Sequence, residues 1–274
     1  MRILLVLDAL DFNKDQLSYA AYIAKQTKGQ VTALFIENLV QVVVRVSQYG
    51  HLGNYPFWGD DDADLKKEVI DKNIEAYKQA CVETGLDGGL LRARDVPLEE
   101  TIEASRFADL LLIASGLSFD MDMEAAPAKF VEELLSAAQC PVLVMPNNIQ
   151  PINEAIFTYN GSYSSVYAIK QFTHLFPAFK NKKVTVLYVS ENDDEAIANK
   201  RYIKEYLEHH YENVAFKLLM GTPAVAIISH LIKKQNCIVT FGAYGRSKIS
   251  QFFKKSKAEN ILKTLDIPVF ITHP

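Results

Sequence analysis

Ten short apolar runs punctuate the chain and fall into two sets of five. The first set is Ile3–Leu7, Val31–Ile36, Gly89–Arg94, Asp109–Ser115 and Pro141–Met145; the second is Ala155–Tyr159, Val184–Val189, Ala215–Met220, Cys237–Gly242 and Pro268–Thr272. Helical patterns separate the runs. They are rich in Val, Ile and Leu without strict alternation, as strands are when helices cover both faces of a parallel sheet. Strand–helix–strand order with right-handed crossovers predicts a doubly wound α/β sheet in each half.

The halves match each other. Ser115 to Pro141 and Gly242 to Pro268 are both spans of 26 residues. Each closing run starts with an X-Pro pair, Cys140-Pro141 or Ile267-Pro268, and each opening run ends at a small polar residue, Asp8 or Asn160. An internal duplication is expected, joined in the Pro/Asn-rich stretch Pro146–Pro151, with domains at 1–148 and 149–274. Asp8 to Pro141 spans 133 residues and Asn160 to Pro268 spans 108, so the first half carries about 25 more. The surplus falls mostly in Asn38–Asp62, with Tyr49, His51, Tyr55, Phe57 and Trp58. This insertion leaves the second strand at its carboxyl end. It can lid a cleft, contact a second chain, or pack between the halves, the reading preferred here.

Helical signals agree. Ile70, Ile74, Tyr77 and Cys81 mark one face of a helix over Leu65–Cys81, with Asp62 or Asp64 as N-cap. Thr222-Pro223 reads as an N-cap followed by Pro at the first helical position. Asp194–Tyr211 and Lys254–Leu265 are further helical stretches.

Composition narrows the function. A net charge of −4 and a pI near 5.9 disfavour a nucleic-acid partner. No apolar run approaches the ~20 residues of a membrane span, and Ile3–Leu7 is too short for a signal-peptide core of about 7–15 residues. Cys81, Cys140 and Cys237 form neither a disulfide framework nor a CxxC site, which predicts a reducing, cytoplasmic setting.

With its five-strand order, the Gly221-Thr222-Pro223 turn, the glycine-rich loop after the fourth strand of the second half and the Pro-apolar closing strands, the chain resembles a tandem member of the universal stress protein family. The resemblance covers nearly the whole sequence except Asn38–Asp62. It implies two adenine nucleotide alpha-hydrolase-like, flavodoxin-like domains with strand order 3-2-1-4-5, packed as an intramolecular pseudo-dimer through their closing strands. Further homodimerisation is compatible with it. Many members bind ATP or AMP through GxxG, nine residues, then G[ST], with an aspartate after the first strand. The resemblance implies no required cofactor; ATP or AMP is the implied ligand.

In the second half the pattern reads Gly242-Ala243-Tyr244-Gly245, nine residues from Arg246 to Lys254, then Lys255-Ser256. Asn160-Gly161 stands at the aspartate position. The implied nucleotide residues are Asn160, Gly161, Gly221, Gly242, Gly245, Arg246, Lys255 and Ser256. Glycines let backbone N–H groups approach phosphate, and the following helix turns its amino end to the anion. In the first half Asp8 is kept, but equal spacing puts Ser115 and Ser118 at the two glycines and Ala128-Lys129 at G[ST]. Asp120, Asp122 and Glu124 lie in that loop, where like charge opposes a triphosphate. The first site therefore reads as degenerate.

Other chemistry is not supported. Asp120-x-Asp122-x-Glu124 lacks the glycine and the twelfth-position glutamate of a calcium loop. The six histidines form no HExxH or Cys/His pattern, and His209-His210 diverge by about 100° on a helix, which suits a surface role. No GxSxG elbow surrounds Ser162, Ser164 or Ser165. Lys254-Lys255-Ser256-Lys257 reads either as a solvated helix start or as an anion-attracting cluster. No catalytic or metal-binding residue is assigned. The resemblance points to a stress-response binding protein; a nucleotide-free interaction scaffold and, less favoured, a slow ATPase stand beside it.

Overall fold

A computed structural model of the chain describes residues 1–37, 63–94, 96–119, 129–146, 150–191, 196–242 and 265–274. Within them all ten expected strands form: β1 (Arg2–Asp8), β2 (Gln30–Ile36), β3 (Gly89–Ala93), β4 (Leu110–Ala114), β5 (Val142–Met145), β6 (Glu154–Tyr159), β7 (Lys183–Ser190), β8 (Asn213–Met220), β9 (Cys237–Gly242) and β10 (Val269–Thr272). The helices are α1 (Lys14–Thr27), α2 (Ala63–Thr84), α3 (Pro97–Ser105), α4 (Lys129–Ala137), α5 (Tyr163–Leu175), α6 (Lys200–His210) and α7 (Pro223–Leu231).

The strands make one sheet ordered β3-β2-β1-β4-β5-β10-β9-β6-β7-β8. Read outward from the middle of each half, both halves have the order 3-2-1-4-5. Every pairing is parallel except β5 with β10, which is antiparallel. Helices cover both faces, so the inner strands are buried on two sides, whereas the edge strands β3 and β8 are largely exposed. On β1, Ile3, Leu5 and Leu7 enter the core under α1, α2, α5 and α6, whereas Leu4 and Val6 enter the core under α4 and α7. Each core contains residues of both halves and is therefore continuous across β5 and β10.

Local signals act as the sequence suggests. Ile70, Ile74, Tyr77 and Cys81 are all buried along α2. Thr222 is the N-cap of α7 with Pro223 in the first turn, though its side chain makes no cap bond; Val96-Pro97 plays the same part at α3. The helix expected from Asp194 begins later, at Lys200, after Asn199 in the left-handed region (φ 51°). The insertion Asn38–Asp62, the acidic stretch Asp120–Glu124 and residues 243–264, with the basic cluster and most of the last expected helix, lie outside the described residues.

A second contact ties the halves together. The Tyr22 hydroxyl on α1 accepts the Ile152 N–H at 2.8 Å, and Lys182 Nζ donates to the Ile152 carbonyl at 2.6 Å and to Gln26 Oε1 at 3.1 Å. Lys182 also lies over the Phe179 ring, 4.4 Å from its centroid, and burial lowers its pKa.

Candidate functional site

In a doubly wound sheet the ligand crevice opens at the carboxyl ends of the strands, where strand order reverses. In the second half that point lies between β6 and β9, which pair in parallel from Glu154↔Cys237 to Phe157↔Thr240. Asn160 follows β6 and Gly242 closes β9, so the fold brings these two implied residues to one edge. Gly221 follows the edge strand β8, beyond β7; its N–H donates to the Ser190 carbonyl at 2.9 Å, and its φ of +113° favours glycine. Gly245, Arg246, Lys255 and Ser256 lie outside the described residues.

The Asn160 turn is polar and tightly bonded. Asn160 Oδ1 accepts the Ser162 N–H at 3.0 Å and the Ser162 hydroxyl at 2.6 Å. Ser162 Oγ in turn caps α5 by accepting the Ser165 N–H at 3.3 Å. Because a backbone N–H can only donate, the atom facing Ser162 must be the amide oxygen, and the Asn160 NH₂ is turned elsewhere. Gly161 has φ +76°, and a Cβ there would come within 2.7 Å of the Ala198 methyl. Tyr159 fixes the same segment by donating to the Ala198 carbonyl at 2.9 Å.

Gly242 has a packing reason to be glycine. A Cβ on it would lie 2.1 Å from the Ser164 carbonyl oxygen and 2.6 Å from the Ser165 nitrogen. The first turn of α5 therefore sits directly on the end of β9. The β6–α5 connection explains this closeness. Two residues lead from Asn160 to the cap Ser162, against five from Asp8 to the cap Asn13 in the first half.

The ladder also fixes which residues correspond. Gly242 lies across from Thr272, and Ala114 lies across from Met145. The glycine position in the first half is thus Ala114, one residue before Ser115. The longer β1–α1 turn leaves room for the Ala114 methyl group. Beyond it, Leu117 donates its N–H to the Ala114 carbonyl at 3.1 Å, and Leu117 and Phe119 are buried, with Phe119 edge-on to Phe130 at 4.7 Å. Ser115 and Ser118 are half-buried beside this apolar anchor. Asp8 Oδ1 accepts the Leu10 N–H at 2.8 Å, the same local turn that Asn160 makes.

Two charged clusters were not legible in the sequence. At the carboxyl ends of β2 and β3, the buried Glu37 pairs with Arg92 Nε and, at 3.4 Å, with Arg94 Nε, while Arg92 Nη1 lies 3.7 Å from Asp71. The hydrogen bond and charge of Glu37 raise the Arg92 pKa. At the amino end of β6, Glu154 accepts from Thr185 at 2.6 Å and from Lys183 and Lys234 at 3.0 Å each. Burial would raise its carboxyl, but these three bonds outweigh burial and hold it at about 2. Both clusters depend on cross-strand neighbours, which only the register supplies.

The His209 and His210 rings lie 5.1 Å apart, and His210 is 6.4 Å from His174. Burial and these two neighbours lower the His210 pKa. No group of three His, Cys, Asp or Glu among the described residues could hold a metal ion. A surface groove along α6, lined by Arg201, Tyr202, Glu205, Tyr206 and His209, contains none of the implied nucleotide residues.

No family model matches the chain. Its sequence is 24% identical over 287 residues to the universal stress protein Slr1230 of Synechocystis, covering 97% of this chain and 98% of that protein. The chain is related to the universal stress proteins. Solved structures carry the same likeness. A universal stress protein of Archaeoglobus fulgidus superposes with a TM-score of 0.71 at 18% identity, over 99% of this chain and 96% of its own. A protein of Pseudomonas aeruginosa described as a putative universal stress protein gives 0.57 at 15% identity, over 100% and 93%. At such identities the structural likeness speaks for the fold. The universal stress protein architecture accounts for the ten strands and their order. Among the described residues, no helix is long and apolar enough to cross a membrane.

Proposed function

We propose that this universal stress protein relative is an internally duplicated pseudo-dimer that binds one adenine nucleotide, ATP or AMP, per chain, in its second half, as part of a cytoplasmic stress response. The observation that carries this reading is the meeting of Asn160 and Gly242 at the β6–β9 switch point, directly before the sequence Ala243-Tyr244-Gly245 and its following Lys255-Ser256. Strand ends at such a point present backbone N–H groups to an anion. The first half has Ala114 where the second has Gly242 and anchors its loop through Leu117 and Phe119, which fits a degenerate site.

A nucleotide-free interaction scaffold is the second reading, and one observation favours it. The contact of Gly242 with Ser164 explains that glycine by packing alone. A slow ATPase has less support, because the sequence from Gly242 to Ser256 contains no Asp, Glu or His to act as a general base.

Mass spectrometry of small molecules released from the purified protein separates the readings. A stoichiometric adenine nucleotide supports the first. No released nucleotide, with no thermal shift in millimolar ATP, supports the scaffold. In titrations, Gly245→Asp should abolish ATP binding and Ser118→Ala should leave it unchanged. Equal occupancy of both halves contradicts the assignment.

A further inference from the structure

The second half buries an imidazole nitrogen among cations. α7 lies against β7 and β8, with Ile227 and Leu231 in the core that also holds Leu187 and Val239. His230 directly precedes Leu231 in the last turn of α7. Its Nε2 is buried and has no hydrogen-bond partner among the described residues. Buried polar atoms left unpaired are uncommon and unfavourable.

Strand register collects charge around this ring. Lys217 lies across from Leu187, which is buried on the α7 face, so the lysine stands on that face of the edge strand β8. Lys183 lies four residues before Leu187 on β7, hence on the same face, and directly across from Glu154 on β6. The Lys234 N–H donates to the Leu231 carbonyl at 2.8 Å, which turns the chain after α7 so that Lys234 reaches the same carboxylate. Glu154 is fully engaged: Oε1 accepts from Thr185 and Lys183, and Oε2 from Lys234. Three ammonium groups and one occupied carboxylate therefore act on His230. Cys237 on β9, which also feels Glu154 and Lys234, is pushed up to about 12 by burial and stays neutral. The carboxyl end of α7 attracts positive charge. Burial and the repulsion of Lys217, Lys234 and Lys183 outweigh it and the pull of Glu154, and they lower the His230 pKa.

We propose that His230 is a proton-operated latch: neutral, it lets the last turn of α7 close on β7 and β8, and protonated, it becomes an unpaired charge among three lysines and drives that turn off the sheet into water. The closed fold lowers the histidine below its ordinary value of about 6.5. The latch is thus fully closed above that pH and opens as pH falls through the lower, folded value. Glu154, held at about 2, stays ionised throughout this range. The latch does not depend on the nucleotide reading of the same half.

The test is amide hydrogen exchange of the whole chain, followed by NMR at pH 7.5 and 5.0 and corrected for the intrinsic pH dependence of exchange. Protection of the Ser229, His230 and Leu231 amides should fall at least threefold at the lower pH, while that of Ile169 and Phe172 in α5 stays constant. His230→Gln, neutral at both pH values, should abolish the loss, and His230→Arg should leave the turn open at pH 7.5. Unchanged protection in the wild-type chain overturns the proposal, as does an equal loss in His230→Gln. Should His230→Gln fail to fold, Lys217→Gln decides. Removing the strongest of the three repulsions should shrink the acid loss at least twofold, and an undiminished loss overturns the latch.

Discussion

Leu143 and Phe270 lie directly opposite each other in the antiparallel ladder that joins β5 to β10. The flanking pairs are reciprocal. Val142 faces Ile271 and Val144 faces Val269, so equivalent residues of the two halves exchange partners about Leu143 and Phe270. That is the pattern of a two-fold symmetric interface, here within one chain. It also removes two exposed strand edges that would otherwise invite pairing with other chains.

Phe270 anchors this junction. It is fully buried, edge-on to Phe172 at 5.5 Å and to Phe176 at 6.0 Å. Phe270→Ala should cost roughly 3–5 kcal/mol in denaturant unfolding. Met1–Asn148 and Ile149–Pro274 expressed separately should aggregate, self-associate or recombine into a heterodimer. Two independent, well-behaved monomers in analytical ultracentrifugation would contradict a shared core.

Gly242 and Ala114 occupy the same ladder position, yet they should respond differently to substitution. Gly242→Ala pushes a methyl group into the Ser164 carbonyl, a backbone atom that cannot swing away. It should destabilise by about 3 kcal/mol or more. Ala114→Gly removes only a methyl group and should cost about 1 kcal/mol. Thermal unfolding of the pair measures the difference; equal effects would mean that α5 is not packed as described.

Glu154 should set part of the acid stability. Its folded pKa of about 2 lies below an unfolded value near ~4.3. The depressed value means that ionised Glu154 stabilises the fold fully above pH ~4.3 and progressively less as pH falls toward 2. The contribution is on the order of 2–3 kcal/mol. Glu154→Gln should lower stability at neutral pH and flatten the stability profile between about pH 4.5 and 2. An unchanged slope in that window counts against the three-bond cluster.

Lys255 is the sharpest departure from the nucleotide-loop pattern. A side chain where glycine is expected obstructs phosphate from the backbone, and positive φ there would cost about 1 kcal/mol or more. An exposed lysine charge returns only ~0–1 kcal/mol, less than the ~1.5–3 kcal/mol of one hydrogen bond to a charged phosphate. Lys255→Gly should therefore strengthen ATP binding roughly tenfold in calorimetry, and Lys255→Ala less. Weaker binding after Lys255→Gly would make the lysine a phosphate ligand instead.

The sequence by itself determined the ten strands, their grouping into two fives and the layered α/β architecture. Those follow from local information: apolar runs such as Leu4-Leu5-Val6, the stripe Ile70–Ile74–Tyr77, and Pro at the start of α3 and α7. Hydrophobic periodicity is written along the chain and survives any choice of partner. Only the tertiary structure decided which strand edges meet, and therefore that Leu143 faces Phe270. Only it moved the glycine-equivalent position from Ser115 to Ala114, because residue counting cannot see a one-residue difference in the path from β4 to β5. Only it brought Glu37 to Arg92 and Arg94, and Lys183 and Lys234 to Glu154. Such pairs are distant in sequence and are joined by register, whose side-chain period of two turns a single-residue slip into the opposite face of the sheet.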